Sequence, residues 1–489
     1  MLKQYFSNPT KRTKQITSVL VVLIVAAVGT YLLVGSHAAT PYASLTAGSG
    51  SLSGNATKQT CSGASDGNCV VFGSAASKGA TYYVSPNGSD SNSGTSASSP
   101  WKTVTKVDNS CPQPGDTVLF QGGQTFSDTD LRPPCSGTSG NPITYASYGS
   151  GRAILTDVWL PTSNHDLVFD NLELTSNNQL FSACGACNLA HYNITLKNSF
   201  LHNTSNLGID VLPLDHNWLI EGNTIQHTGD SGILVAYASN ITTTHNTISY
   251  TGEDYTSIGY GTHGIYAKGP NETISYNDFS HDQGGQAISV RAHGDYIYGN
   301  TVHDTPQAFA FFDYDEAPPP QGTSYVYDNK IWNLNEDSIG DAVFAFYYDN
   351  QADPQGKSPS VNFVIASNTF VMSNSTEAFN LSPTPSAASV TTVNNIFSGT
   401  YGSAYRGCAT CTEYNNNWYG ASSNIPSGSH DQFINPNLSA APAFTLPAGS
   451  PLINAGTTNV PGLTYTHGTN GQPLQYAGSA PDIGAVDSQ

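Results

Sequence analysis

Basic residues are scarce in this chain. Of 489 residues only 16 are Lys or Arg, against 35 Asp or Glu, for a formal net charge of −19. Four of the cations (Lys3, Lys11, Arg12, Lys14) precede residue 15, and the first acidic residue is Asp66. The remainder therefore carries 12 basic against 35 acidic residues, a net of −23. Such a surface repels nucleic acid and anionic lipid, so no nucleic-acid partner is expected, and any anionic substrate must meet a local basic site. Long apolar runs are equally rare, with one example, ITSVLVVLIVAAVGTYLLV at 16–34. The Ala/Glu/Lys/Leu mixture that builds helices is thin. In its place stand 47 Gly, 27 Tyr and abundant Asn, Ser and Thr, which reads as all-β and turn-rich.

The apolar run gives location. KRTK precedes it, the run is long enough (~17–25 residues) to span a bilayer, and small residues follow in GSHAAT. Residues 1–39 are expected to be a cytoplasmic stub plus a transmembrane signal anchor or a signal peptide, with the cations left inside. Residues 40–489 are then exported, at the cell surface through a membrane anchor or secreted. Residues 40–80 are Ser/Gly-rich and read as a spacer or small β module.

Eight cysteines in an exported chain suggest disulfides. They fall in sequence-local pairs, Cys61/Cys69, Cys111/Cys135, Cys184/Cys187 and Cys408/Cys411. The CxxC pairs CGAC and CATC could be halves of one zinc site, but they lie about eight repeats apart, roughly 40 Å at ~4.8 Å per stacked strand. Local disulfides are expected instead, and no metal site from cysteine.

Between 165 and 420 an internal repeat emerges. Short alternating strands each precede an asparagine, at 171, 198, 223, 246, 277, 300, 329, 368 and 395, with spacings of 27, 25, 23, 31, 23, 29, 39 and 27 residues. An apolar residue follows each, and then a second short strand such as GIDVL (208–212) or AVFAF (342–346). Strands this short bury an apolar face only by stacking, which makes a solenoid. An Asn at one turn of every coil can hydrogen-bond its neighbours above and below. The histidines after the Asn turns (His202, His227, His281, His303) recur at one corner, which suggests turn packing.

These phrases resemble the right-handed parallel β-helix proteins of the pectate-lyase-like superfamily. TYYVSPNGSDSNSGTSASSPWKTV (81–104) and PGDTVLFQGG (114–123) look like the N-terminal cap of that group. GSPLINAG (449–456) and PDIGAVD (481–487) look like its closing segment. The resemblance implies a cap and first coils over 81–164, a β-helix core over 165–420 and a closing segment over 421–489. It is specific for fold and weak for reaction.

Parity along the second strand places Ile265/Ala267 and Ile288/Val290 inward, with Phe309/Phe311 and Val343/Ala345 after them. Two outward rows remain: Asp210, Leu234, Tyr266, Ser289, Ala310, Phe344, and Leu212, Ala236, Lys268, Arg291, Phe312, Phe346. Lys268 and Arg291 each lie nine residues before their Asn (277 and 300), so they should stack on adjacent coils about 5 Å apart. Two like charges that close favour a bound anion and a neutral lysine able to act as a base. Loops at 252–260, 313–322 and 347–360 flank this face.

ISVRAHGDYIYGN (288–300) resembles the Arg-bearing strand of the alginate lyase and chondroitinase B family. That resemblance implies β-elimination on an extracellular or cell-surface polysaccharide of uronic acids, with Lys268 as base and Arg291 as acid. Tyr266, His263, His293, Asp313 and Tyr314 would bind substrate. Calcium is the one cofactor in question, because the family carries acidic ligands where this chain has His263 and Gly261. Asp313 or Asp315, on the loop FDYDE (312–316), would serve a glycoside hydrolase instead. A glycan-binding adhesin is the non-enzymatic alternative.

Overall fold

The computed structural model describes residues 56–60, 68–72, 79–258, 261–292, 294–312, 322–334, 342–347, 362–380, 389–406, 411–468 and 474–485. Two compact units are present, Met1–Ala75 and Ala76–Gln489. In the first, strands Ala56–Thr60 and Asn68–Phe72 pair antiparallel. The apolar run at 16–34 lies outside the described residues. Among the described residues no helix is long and apolar enough to cross a membrane.

The second unit is a parallel β-helix. Each coil lays down one strand in each of three parallel ladders. The first ladder has 13 strands and runs from Thr81–Val84 to Cys411–Tyr414. The second begins at Thr125–Phe126 and includes Thr224–Thr228, Asp278–Ser280 and Thr301–His303. The third includes Ile209–Val211, Ile233–Val235, Ile265–Ala267, Gln286–Val290 and Gln307–Phe312. Late in the chain the second and third ladders merge, because Thr369–Asn380 pairs with strands of both.

Alternation explains how such short strands hold. Ile220, Ile225 and Ile233 of one coil, and their counterparts two coils on, Ile274, Phe279 and Ile288, are fully or nearly fully buried in one continuous core. At the N-terminal end a five-residue helix, Val104–Asp108, adds Val104 and Val107 to that core. Trp101 beside it stacks on Tyr82 at 4.7 Å. At the other end the chain returns along the outside. Val460 and Leu474 pack on Tyr327, Val364 and Val393, and Tyr465 bonds Ser367 at 2.6 Å.

The asparagine ladder is present and buried. From Asn223 through Asn246, Asn277, Asn300, Asn329, Asn368 and Asn395, each residue donates both its backbone N–H and its Nδ2 to the Oδ1 of the asparagine one coil on, at 2.8–3.0 Å. Asn416 ends the row on the Asp431 carboxylate. Two expected members do not belong. Asn171 and Asn198 register with Gly222, not Asn223, and have left-handed φ of 56° and 52°. Ser199 fills the ladder position of its coil and accepts the N–H of Leu172. Asparagine suits both positions, because its amide bridges coils and it tolerates left-handed backbone.

The disulfides Cys111–Cys135 and Cys184–Cys187 are formed. Cys411 is also disulfide-bonded. Cys61 and Cys408 lie outside the described residues, and Cys69 lies in the strand Asn68–Phe72.

Candidate functional site

Lys268 and Arg291 each follow directly on a third-ladder strand. Their backbone N–H groups donate to Val235 and Ala267, continuing the ladder one residue past its strands. Ala267 registers with Val290, so Lys268 and Arg291 occupy the same position on adjacent coils. Phe312 takes that position on the next coil, since Val290 registers with Phe311. Beyond it the row differs from expectation. Phe309 registers with Phe344, and Phe344 is fully buried in the core, so the first outward row does not pass through Phe344; Phe346 registers with Phe311 and not with Phe312. The register of this late strand slips by one against its apparent alternation, because a bulky aromatic is worth more in the core than on the surface.

Tyr266, two residues before Lys268 and on the same outward side, joins the two cations. Arg291 Nε donates to the Tyr266 hydroxyl at 3.2 Å. The Arg291 guanidinium carbon lies 5.0 Å from the Tyr266 ring centroid and 3.1 Å from that of Phe312. Lys268 Nζ lies 4.7 Å from the Tyr237 ring centroid and 5.3 Å from that of Tyr266. Lys268, Arg291, Tyr237 and Phe312 each make at least one further interaction. Tyr266, Lys268 and Arg291 are all half-buried. Aromatic faces attract cations, so three rings, through four contacts, hold two like charges in place at about 0.5–2 kcal/mol per contact. Tyr237 has no expected role in the sequence, where Phe312 is one of the outward row beside Arg291. The signal for both is an aromatic within one residue of the Lys/Arg position on the flanking coil.

His263 is placed differently from expectation. It is 3% exposed, beneath Tyr266, with the two rings edge to face at 4.8 Å. Its Nδ1 accepts the Gln286 N–H at 3.3 Å. Burial, and after it the Arg291 charge, pushes its pKa down to about 3. It is therefore a neutral ring with its proton on Nε2, supporting Tyr266 from below, and is not a surface cation for a carboxylate. Gly285 makes room for it, since a Cβ there would come within 2.6 Å of His263 Nδ1.

His293, Asp313 and Tyr314 lie outside the described residues, as do Asp315 and Glu316. Two other buried acids flank the described part of the site. Asp210, on the outward row of Tyr266, accepts from Gln179 Nε2 at 2.9 Å, and burial pushes its pKa up to about 6. Asp282 accepts the Gly264 N–H, and burial pushes it up to about 7. For calcium the donor set at 261 and 263 does not fit: Gly261 has no side chain, and His263 offers a buried nitrogen to a cation that selects oxygen. Among the described residues no three His, Cys, Asp or Glu converge as a metal ion requires.

The corner leading into the third ladder carries a separate open concavity of about 380 Å³, lined by Asn177, Asn203, His227, Glu253 and Asp254. His227 there pairs with Glu253 at 2.7 Å and stacks on Tyr250, which stacks in turn on His281. His202 and His303 also pair with acids, Glu173 and Asp278, so the recurrent histidines are corner packing.

A family model described as "Right handed beta helix region" matches residues 157–302. Lacto-N-biosidase of Bifidobacterium longum is 44% identical over 77 residues, which are 15% of this chain and 5% of that protein. Among solved structures, pectate lyase Pel9A is similar at 17% identity, covering 84% of this chain and 97% of that one, with a TM-score of 0.41. GH136 lacto-N-biosidase from Eubacterium ramulus is similar at 15% identity, covering 70% and 67%, with a TM-score of 0.40. The tailspike protein of E. coli bacteriophage HK620 is similar at 14% identity, covering 65% and 58%, with a TM-score of 0.43.

Proposed function

We propose that this β-helix protein acts outside the cell on a uronic-acid polysaccharide and cleaves it by β-elimination at Lys268, Arg291 and Tyr266. The observation that carries this reading is the stacked Lys268–Arg291 pair, bridged by Tyr266, on an outward row of a strongly acidic protein. Elimination needs three things: a cation to offset the carboxylate charge as the adjacent C–H is lost, a base for that proton, and an acid for the departing oxygen. Lys268 serves as the base. Arg291 meets the carboxylate and stands on the acid side of the scissile bond. The aromatic rings give a sugar flat surfaces to lie on. The apolar run at 16–34 would hold the protein at the membrane, with the cleaved form secreted.

The test is incubation of the exported region with a panel of polyuronates, read by the ultraviolet absorbance of unsaturated ends. Lys268→Ala and Arg291→Ala should each abolish the signal while the unfolding temperature is kept. Silence on every polymer, or full activity in both variants, rejects β-elimination.

Glycoside hydrolysis is the second reading. It is favoured by Asp210, a buried acid held protonated to about pH 6 on the outward row of Tyr266, and by the short likeness to a lacto-N-biosidase. New reducing ends without unsaturation would select it, with Asp313 or Asp315 as the partner acid. Glycan binding without any product would select an adhesin.

A further inference from the structure

Resting on the β-elimination reading, we propose that the Tyr266 hydroxyl delivers the proton to the departing sugar oxygen, and that Arg291 holds this tyrosine instead of giving up a proton itself. A guanidinium keeps its protons at any pH at which a protein works, whereas a phenol can part with one. The direction of the hydrogen bond fits that division. Arg291 Nε–H donates to Tyr266 Oη, so the hydroxyl's own hydrogen is turned away from Arg291, and a fixed positive group faces the oxygen on which negative charge builds as the proton leaves.

Placement fits as well. The base and the acid of an elimination act on neighbouring carbons of one sugar, so they must stand within one ring of each other. Tyr266 and Lys268 project from the same outward side of one strand, and Lys268 Nζ is 5.3 Å from the Tyr266 ring centroid. The ring itself is fixed on two sides, by the edge of buried His263 beneath and by Arg291 on the next coil. A surface tyrosine without a task would have no use for such support.

The step balances within the protein. In the reacting form Lys268 has first given its proton to solvent; its free Nζ then takes the C5 proton, the C–H electrons form the C4–C5 double bond, and the C4–O bond breaks with its pair on oxygen. Tyr266 protonates that oxygen. An ammonium and a phenolate remain, and one proton passed from Lys268 to Tyr266 through water restores both.

Tyr266→Phe keeps the ring and deletes the hydroxyl. Two substrates separate its roles: the polyuronate on which the wild-type protein makes unsaturated ends, and a monomeric uronide carrying 4-nitrophenoxide at C4. On the polymer kcat should fall by about 100-fold or more with KM little changed. On the nitrophenoxide substrate the loss should stay below about fivefold, because that group departs without a proton. Equal losses on both substrates overturn the assignment; with an unchanged unfolding temperature they make Tyr266 the base, and with a lowered one a structural residue. An unimpaired variant on the polymer overturns it too. Absence of unsaturated product from the wild-type protein on both substrates rejects the elimination reading itself and takes this assignment with it.

Discussion

Asn246 gives two hydrogen bonds to one atom. Its backbone N–H and its Nδ2 both donate to Oδ1 of Asn277, one coil on, at 2.9 and 3.0 Å. Asn277 repeats the arrangement on Asn300 and also donates to the Thr243 carbonyl. Removing the Asn277 amide therefore strands two buried donors of Asn246 at once. Asn277→Ala should cost about 3 kcal/mol or more, since each unsatisfied buried group costs about 1–3 kcal/mol. Asn198→Gly, at a left-handed turn only one residue out of register with the ladder, should change stability by less than about 1 kcal/mol. Chemical denaturation of the two variants checks the contrast.

That contrast also marks how far the sequence could be read. Asn246, Asn277 and Asn300 announce the coil because one amide does the same work on each. Lys268 and Arg291 fall into register because both stand nine residues before such an asparagine. Asn171 and Asn198 mislead because the same side chain serves the left-handed turn beside the ladder. Phe344 misleads for another reason. Its strand reads as alternating in either phase, and only its neighbours Phe309 and Phe363 decide which aromatic goes in. His263 precedes its strand, where alternation fixes no direction, so its burial under Tyr266 is set by the fold alone.

A second pair of neighbours predicts a response to pH. Glu272 and Asp295 are both buried on adjacent coils, and Asp295 Oδ1 accepts the Glu272 N–H at 2.9 Å. Burial, and after it the Asp295 charge, raises Glu272 well above the usual carboxylate range, and burial pushes Asp295 up to about 8. The folded state thus holds protons that the unfolded chain releases near pH 4. Stability contributed by these groups is complete below that pH and is lost as pH rises toward 8, by up to about 1.4 kcal/mol per pH unit for each proton. Asp295→Asn keeps the oxygen acceptor and removes the titration. Its unfolding temperature should lie close to the wild type's at pH 4 and exceed it by a margin that grows as pH rises toward 8.

His263 predicts the opposite slope and a spectroscopic signature. Its folded pKa, pushed down to about 3, lies below the unfolded value near 6.5, so the unfolded chain gains a proton that the folded chain refuses. This contribution is lost as pH falls from 6.5 toward 3. Imidazole resonances identified by their disappearance in His263→Gln should stay in the neutral, Nε2-protonated form from pH 8 down to pH 4.5. An inflection near pH 6 would contradict the buried position beneath Tyr266.

The sandwich around Arg291 predicts that charge alone is insufficient. Its guanidinium lies against the Phe312 ring on one side and the Tyr266 ring on the other, while Nε–H reaches the Tyr266 hydroxyl. Lysine would keep the positive charge, but an ammonium is a point donor on a flexible stem and cannot hold a planar stack and a directed bond together. The stack and the charge-assisted bond are together worth about 2–3 kcal/mol, so Arg291→Lys should lower kcat/KM on the responsive polyuronate by about 100-fold. Phe312→Ala removes one face of the stack and leaves the bond, and should cost about tenfold. Initial rates of unsaturated-end formation measure both. If Arg291→Lys stays within threefold of wild type, the site uses Arg291 only as a positive charge, and its hold on Tyr266 plays no part in turnover.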